Sequence, residues 1–342
     1  MSILEHDKKW MRKALALAKK GVGRTSPNPA VGAVIVRNGK LAGQGWHRKA
    51  GEAHAEIFAI ESAGESCSGA TLYVTLEPCS TFGRTPPCTD AIIKSGVEKV
   101  VVGCLDQNPE HSGRGLEVLK AAGIEVASGI LEDKCLSLNE AFFHWIKTGT
   151  PFVLLKMAMT LDGKIATASG ESKWITGSLA RKRVDSLRLW ADAVMVGGNT
   201  ALKDRPSLKV RTGNYRKEPR RIIATSSLTA TRLCKILPPG SEPEVVGART
   251  NDEWLAFMKQ LGAENVTALL VEGGGELAAS LLNAGIVNKV EFHLAPKILG
   301  GRNSIPVVGG ANPASLDSAL KLAGLEVRQA GEDFIFSGYP QN

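Results

Sequence analysis

The sequence predicts two α/β domains, each built on a largely parallel sheet with helices covering both faces, and three observations carry that reading. Strand-like and helix-like stretches alternate through both halves, as repeated strand–helix units do. The segment Thr148-Gly149-Thr150-Pro151 breaks the alternation near the middle, which puts one domain in residues 1–149 and the other in residues 150–342. The length of 342 residues is enough for two cores at roughly 150 residues per domain.

In the first half, residues 7–20 set Trp10, Ala14, Leu15 and Ala18 at helical spacing, with Gly21 as a stop. Residues 30–36 form a β-branched run, and Asn38-Gly39 marks a tight turn into a second strand at 41–46. A helix carrying Ile57, Ala59 and Ile60 leads to a strand at 71–76. A helix ending at Ser95-Gly96 leads to a strand at 99–103, and one at 116–122, closed by Gly123, to a strand at 124–127. Both glycines stand where a helix C-terminus favours a left-handed residue. Residues 131–147 read as one strongly apolar helix through Leu136, Leu138, Phe142, Phe143 and Trp145.

The second half restarts with a strand at 152–159, then helix 178–190, strands 193–197 and 221–224, helix 252–261, strand 267–271, helix 275–284 and strand 289–295. The stretch 199–219, polar and rich in Gly and Pro, is expected to loop over a site.

A hydrophobic content of 43% excludes a wholly disordered chain. No segment reaches the ~18 apolar residues of a membrane span, and the opening MSILEHDKKWMRKALALAKK lacks the uncharged apolar run of a secretory leader, so a cytoplasmic enzyme is expected. The 42 basic and 34 acidic residues give a formal charge of +8. They are scattered, with no polybasic run, and aromatic residues make up only 5%. That argues against nucleic acid and suits a protein handling phosphorylated small molecules. Six cysteines are few for a disulfide scaffold; a metal site or buried thiols fit better.

The chemistry concentrates in His54-Ala55-Glu56 and Glu77-Pro78-Cys79, with Cys88 after eight intervening residues. Taken singly, each is more often an ordinary core or surface residue. As a set they supply one His and two Cys, the ligand count of a catalytic zinc with an open fourth position. Zinc brings the pKa of a bound water to about 7. Glu56 is then the acid–base group that moves a proton from that water to a leaving amine. The arrangement resembles the zinc-deaminase signature H-x-E…P-C-x-x-C. Residues two apart on a helix point to nearly opposite sides, so His54 and Glu56 are expected in a helix's first turn. A second helix is expected to begin near Cys88 after Pro86-Pro87. Each of the three ligands is expected at a helix start. His6, His111, His144, Cys67, Cys104, Cys135 and Cys234 have no such pattern and read as structural.

Over nearly its whole length the chain resembles the bifunctional riboflavin-biosynthesis deaminase/reductase family. Ser26-Pro27-Asn28-Pro29-Ala30-Val31-Gly32, Gly45-Trp46-His47, Leu76-Glu77-Pro78-Cys79-Ser80, Gly83-Arg84-Thr85-Pro86-Pro87-Cys88 and Asp106-Gln107-Asn108-Pro109 carry the likeness in the first half. Most cytidine-type deaminases have two residues between their cysteines, and the longer loop here sets this family apart. In the second half the likeness lies in Lys156–Lys164, Ser172-Lys173-Trp174-Ile175-Thr176, Gly197-Gly198-Asn199-Thr200, Asp204-Arg205-Pro206-Ser207-Leu208 and Glu272-Gly273-Gly274-Gly275-Glu276.

The resemblance implies a cytidine-deaminase-like three-layer αβα domain followed by a dihydrofolate-reductase-like α/β domain. It implies zinc-dependent removal of the 2-amino group from a diaminopyrimidinone bearing a phosphoribosylamino group, then NADPH reduction of the ribosyl side chain to ribityl. Asn28, His47, Arg84, Asp106 and Asn108 would contact the first substrate. Ser172, Arg188, Leu208, Arg211 and Glu272 would meet the second, with Lys156 helping catalysis. Ala158, Trp174, Thr200, Asp204, Ser226, Gly274 and Gly275 would line the cofactor, the glycines letting backbone N–H groups approach a phosphate at a helix start. The two departures are Thr81, where many members carry His, and Thr225, where relatives often carry Asp. The competing reading is a nucleic-acid base deaminase with a C-terminal RNA-binding half. A homo-oligomer, dimer or tetramer, is also expected.

Overall fold

Asn38 and Gly39 take φ values of 50° and 71°, the left-handed geometry a two-residue hairpin requires. They join β1 (Gly32–Arg37) to β2 (Lys40–Trp46) in antiparallel register. The computed structural model describes residues 3–82, 86–108, 112–211, 218–227, 232–233, 235 and 242–341. It divides into two compact units, Met1–Gly149 and Thr150–Asn342.

In the first unit the sheet order is β2-β1-β3-β4-β5, with β3 at Thr71–Leu76, β4 at Lys99–Cys104 and β5 at Glu125–Ser128. β3, β4 and β5 run parallel, as strand–helix alternation requires, and the hairpin adds two antiparallel strands at one edge. The buried core draws Met11 and Ala14 from the helix Ile3–Ala18, Ile35, Leu72 and Val101 from the strands, and Ile92 and Leu119 from following helices. The helix Ala55–Ala63 lies directly on β2. A Cβ at Gly43 or Gly45 would sit 2.3 or 2.4 Å from the carbonyl oxygen of Ala59 or Ala55. Those two glycines therefore fix how close the helix bearing Glu56 approaches the sheet.

The expected single helix over 131–147 is two helices, Glu132–Leu138 and Glu140–Thr148. Asn139 ends the first because its buried side chain is committed elsewhere. Its Oδ1 accepts from Ala30 N–H at 2.8 Å, and its Nδ2 donates to Ala30 C=O at 3.0 Å. One amide thus substitutes for a strand partner 109 residues away in the chain. Asn139→Ala leaves both Ala30 groups without it, and thermal or urea unfolding of the full chain is expected to show a loss of about 1–3 kcal/mol in the first unit.

The second unit holds an eight-stranded sheet in the order β10-β9-β8-β11-β6-β12-β15-β14. β6 is Phe152–Thr160, β8 Ala193–Gly197, β9 Arg220–Ala224, β10 Glu244–Val246, β11 Ala268–Val271 and β12 Lys289–Ala295. These six are parallel, and β15 (Asp333–Gln341) and β14 (Lys321–Ala330) extend the sheet antiparallel. A small pair, β7 (Lys164–Ala166) with β13 (Ile305–Pro306), stands apart. The stretch expected to loop contains a helix, Gly198–Asp204, anchored by the fully buried Ala201. Residues 212–217 of that stretch lie outside the described residues.

No helix among the described residues is long and apolar enough to cross a membrane.

Candidate active sites

His54 is the N-cap of the helix Ala55–Ala63, with extended backbone (φ −77°, ψ 168°), and Glu56 sits in the first turn. Because His54 stands outside the helix, its side chain escapes the 100° helical rotation and joins Glu56 on one site. Cys88 is the first residue of the helix Cys88–Lys94, capped by Pro87. Cys79 departs from expectation: it lies in the irregular segment after β3 and not at a helix start, and Glu77 holds that segment in place. The buried Glu77 carboxylate accepts from Asp106 and Gly113 N–H through Oε2 and from Gly115 N–H through Oε1.

Among the described residues, His54, Cys79 and Cys88 form the one group of His, Cys or acidic side chains clustered tightly enough for a metal ion. Their ligand atoms all lie within 4.8 Å of one another. His54 Nδ1 is 3.2 Å from Cys88 Sγ and 3.5 Å from Cys79 Sγ. Zn–S and Zn–N bonds of about 2.3 and 2.0 Å at a tetrahedral angle separate sulfur and nitrogen by roughly 3.5 Å, so the three groups fit zinc. Cys88 N–H donates to Cys79 Sγ at 3.3 Å. Hydrogen bonds from the Cys88 thiol and from His54 bring the Cys79 thiol down to about 4, which favours the thiolate a metal needs.

Glu56 is 3% exposed, and burial raises its carboxyl to about 7. Its Oε2 has no hydrogen-bond partner among the described residues. A buried carboxyl oxygen left open beside a metal-sized cluster is available to an incoming proton. His47 packs edge-on against His54, ring centroids 5.3 Å apart. Its Nδ1 pairs with Ala53 C=O at 3.0 Å, and its Nε2 lies 3.2 Å from Asn28 Nδ2. Asn28 and His47 therefore belong to the wall of this site. Asp106 joins it through Glu77, and its Oδ1 accepts from Asn108 N–H at 2.9 Å. Arg84 lies outside the described residues. Cys67, Cys104 and Cys135 are buried, as structural thiols are, and His111 and Cys234 lie outside the described residues.

In the second unit, Lys156, Ala158, Ser172, Trp174, Arg188, Thr200, Asp204, Leu208, Arg211, Ser226, Glu272, Gly274 and Gly275 all line one cavity of about 970 Å³. Arg188, on the helix Ser178–Trp190, is buried and grips Glu272 through two bonds of 2.6 and 2.7 Å, with a third to Lys209 C=O at 3.0 Å. Lys156 is buried at the same wall, and burial holds its ammonium below the usual lysine range. Ser172 Oγ donates to Asp204 at 2.7 Å, so two side chains expected to meet different ligands also meet each other. Trp174 is 59% exposed at the rim, stacked under Arg181 at 4.6 Å. Leu208 is 2% exposed at φ 53°, part of the second unit's core as well as of the cavity lining.

Gly273 and Gly274 take φ values of 123° and 93°, leading into the helix Gly275–Asn283. Gly275 has a packing reason of its own: a Cβ there would sit 2.6 Å from Pro306 C=O. Sequence reasoning missed Arg183, Glu291 and His293. Glu291 and His293 are buried on β12, where the alternation in Lys289-Val290-Glu291-Phe292-His293 puts two polar side chains on one face. That inward polar pair was the available signal.

Residues 151–336 match the model of the RibD C-terminal domain, and residues 4–104 match that of the cytidine and deoxycytidylate deaminase zinc-binding region. The riboflavin biosynthesis protein RibD of Actinobacillus pleuropneumoniae is 43% identical, over 96% of this chain and 94% of that protein. The RibD protein of Aquifex aeolicus is 44% identical, over 97% of this chain and 98% of that one. A Thermotoga maritima structure described as a diaminohydroxyphosphoribosylaminopyrimidine deaminase/5-amino-6-(5-phosphoribosylamino)uracil reductase superposes with a TM-score of 0.85. It is 36% identical, covering 99% of this chain and 100% of that one.

Proposed function

The chain belongs to the RibD family of riboflavin-biosynthesis proteins, and from that premise we propose that it carries out two successive reactions on one phosphorylated pyrimidine. Its two folds are those of cytidine deaminases and of dihydrofolate-reductase-like reductases. The first reaction is hydrolytic deamination of 2,5-diamino-6-(5-phosphoribosylamino)pyrimidin-4(3H)-one, and the second reduces the ribosyl side chain of its product to ribityl with NADPH. The observation that carries this reading is the cluster of one imidazole and two thiols, three ligands and not four, with the buried Glu56 beside it.

His54, Cys79 and Cys88 would hold the zinc ion, which would supply Lewis acidity towards a water near neutral pH. Glu56 Oε2 takes a proton from the attacking water and returns it to the 2-amino nitrogen. The water oxygen bonds to C2, the C2–N bond breaks, and the nitrogen leaves as ammonia. A carboxyl held near 7 both accepts and gives a proton readily at neutral pH. Asn28, His47, Asp106 and Asn108 present donors and acceptors to the pyrimidine edge, and Arg84 suits the phosphate.

NADPH supplies the hydride of the second reaction. With a hydride delivered to the anomeric carbon, the bond from this carbon to the ring oxygen would break, and the oxygen would need a proton. Lys156 is our candidate for delivering it, supported by its buried ammonium on the cavity wall. Ala158, Trp174, Thr200, Asp204, Ser226, Gly274 and Gly275 would hold the cofactor. Ser172, Arg188, Leu208, Arg211 and Glu272 would hold the substrate. Scattered positive charge supports a small phosphorylated substrate in the cytoplasm over a nucleic acid.

The test is an assay of the full chain with the diaminopyrimidine and NADPH. Ammonia release is expected to persist without NADPH, and NADPH oxidation to require prior deamination. Deamination of tRNA or cytidine instead would favour a base deaminase.

A further inference from the structure

Lys156 stands on β6 between two carboxylates at its own level in the sheet. The β6–β11 register pairs Leu155 with Val271, which brings Glu272 alongside on one flank. The β6–β12 register pairs Lys156 with Glu291 on the other. One helix, Ser178–Trp190, supplies an arginine to each carboxylate. Arg188 takes Glu272, and Arg183 takes Glu291 through two bonds of 3.1 and 2.9 Å.

The first of these pairs lines the cavity. The second does not: Glu291 is 1% exposed, lies off the cavity wall and has no part in the chemistry above. It is nonetheless held by several partners. His293 Nε2 lies 2.8 Å from Oε1, and Arg328 reaches within 3.6 Å of Oε2 from β14. Burial holds the His293 imidazole neutral, so Nε2–H donates to Glu291, and Nδ1 has no partner among the described residues. Three hydrogen bonds and a further arginine thus converge on an acid that does not line the cavity.

We propose that Glu291 is a positioning residue for the reductase step, a fixed negative charge, held by Arg183 and His293, that keeps the neighbouring Lys156 protonated and in place at the cavity wall. This rests on the reading that Lys156 delivers the proton.

The charges facing Lys156 set the balance. Arg188, with Asp185 beside it, comes from the helix, and Glu272 from the segment just after β11. Glu291 and His293 come from β12, Arg183 from the helix, and Arg328 from β14 behind Glu291. Burial and Arg188 push the lysine towards its neutral form; Glu272 and Glu291 oppose them. Burial alone would raise the Glu291 carboxyl, but the hydrogen bonds from His293 and Arg183 bring it to about 2, so its charge persists across the working range. A nearby opposite charge shifts a pKa by about one to three units.

The experiment is the pH profile of kcat/KM for NADPH oxidation by the full chain, given pre-deaminated substrate. Wild type is expected to lose activity on the alkaline side as Lys156 deprotonates. Glu291→Gln is expected to move that limb at least about one pH unit towards acid, with activity below the limb within about threefold of wild type. Arg183→Met, which removes one of the two groups that hold the Glu291 charge, is expected to move the limb in the same direction, and it carries the test if Glu291→Gln fails to fold. Lys156→Met is expected to abolish reduction. Activity surviving in Lys156→Met overturns the reading of the lysine and this proposal with it. An inactive Lys156→Met combined with a limb that does not move towards acid in Glu291→Gln, or in Arg183→Met where Glu291→Gln does not fold, overturns this proposal alone.

Discussion

Glu56→Gln is expected to abolish ammonia release while the protein keeps about one zinc per chain. The glutamine occupies the same volume in the first turn of Ala55–Ala63, and the ligand set of His54, Cys79 and Cys88 is untouched. What disappears is the proton carrier. A carboxamide cannot accept a proton from water, and the buried Oε2 has no hydrogen-bond partner among the described residues to take over. A positioned acid–base group contributes typically 10²–10⁴-fold, and here one group serves both the attack and the departure, so the loss should reach the upper end. Reductase activity on pre-deaminated substrate should persist, which separates lost chemistry from lost fold. Ammonia release and zinc content, measured on the same preparation, decide it. Surviving deamination would move the proton-transfer role to another residue.

Arg188→Leu has the largest expected effect in the second unit. The Arg188 and Glu272 side chains are only 7% and 8% exposed and share two short hydrogen bonds. Removing one partner strands the other charge in a desolvated setting, at a cost of about 3–5 kcal/mol. For a unit of this size that lowers the melting temperature on the order of 10 °C. NADPH oxidation should vanish as well. The double variant Arg188→Leu/Glu272→Leu should regain much of the stability and none of the activity, because an apolar pair restores packing but not recognition. Differential scanning calorimetry beside the oxidation assay reads both quantities. A single variant that melts like wild type would show the pair to be solvated.

The parts of these sites that the sequence announces are those whose chemistry forces a local pattern. His54 and Glu56 are two apart because one precedes the helix and the other opens it. Asn38-Gly39 is legible because the turn demands left-handed residues. Other features depend on partners distant in the chain and leave little local trace. Asn139 looks like one more position in an apolar helix until its amide meets the Ala30 backbone. Glu77 reads as part of a short sequence pattern, whereas its carboxylate gathers three backbone N–H groups from residues 106–115. Gly275 resembles a phosphate-loop glycine, but a crossing strand end at Pro306 already requires it. The β14–β15 hairpin was not anticipated. β14 is exposed along nearly its whole length, so it lacks the apolar–polar alternation that marks a half-buried strand.

Zinc X-ray absorption on the purified full chain tests the first site most directly. Two sulfur neighbours at about 2.3 Å, one imidazole nitrogen near 2.0 Å and one further light atom are expected, the signature of His54, Cys79 and Cys88 with a position left for solvent. A shell of three or four sulfurs, or a chain that retains no zinc, would contradict it.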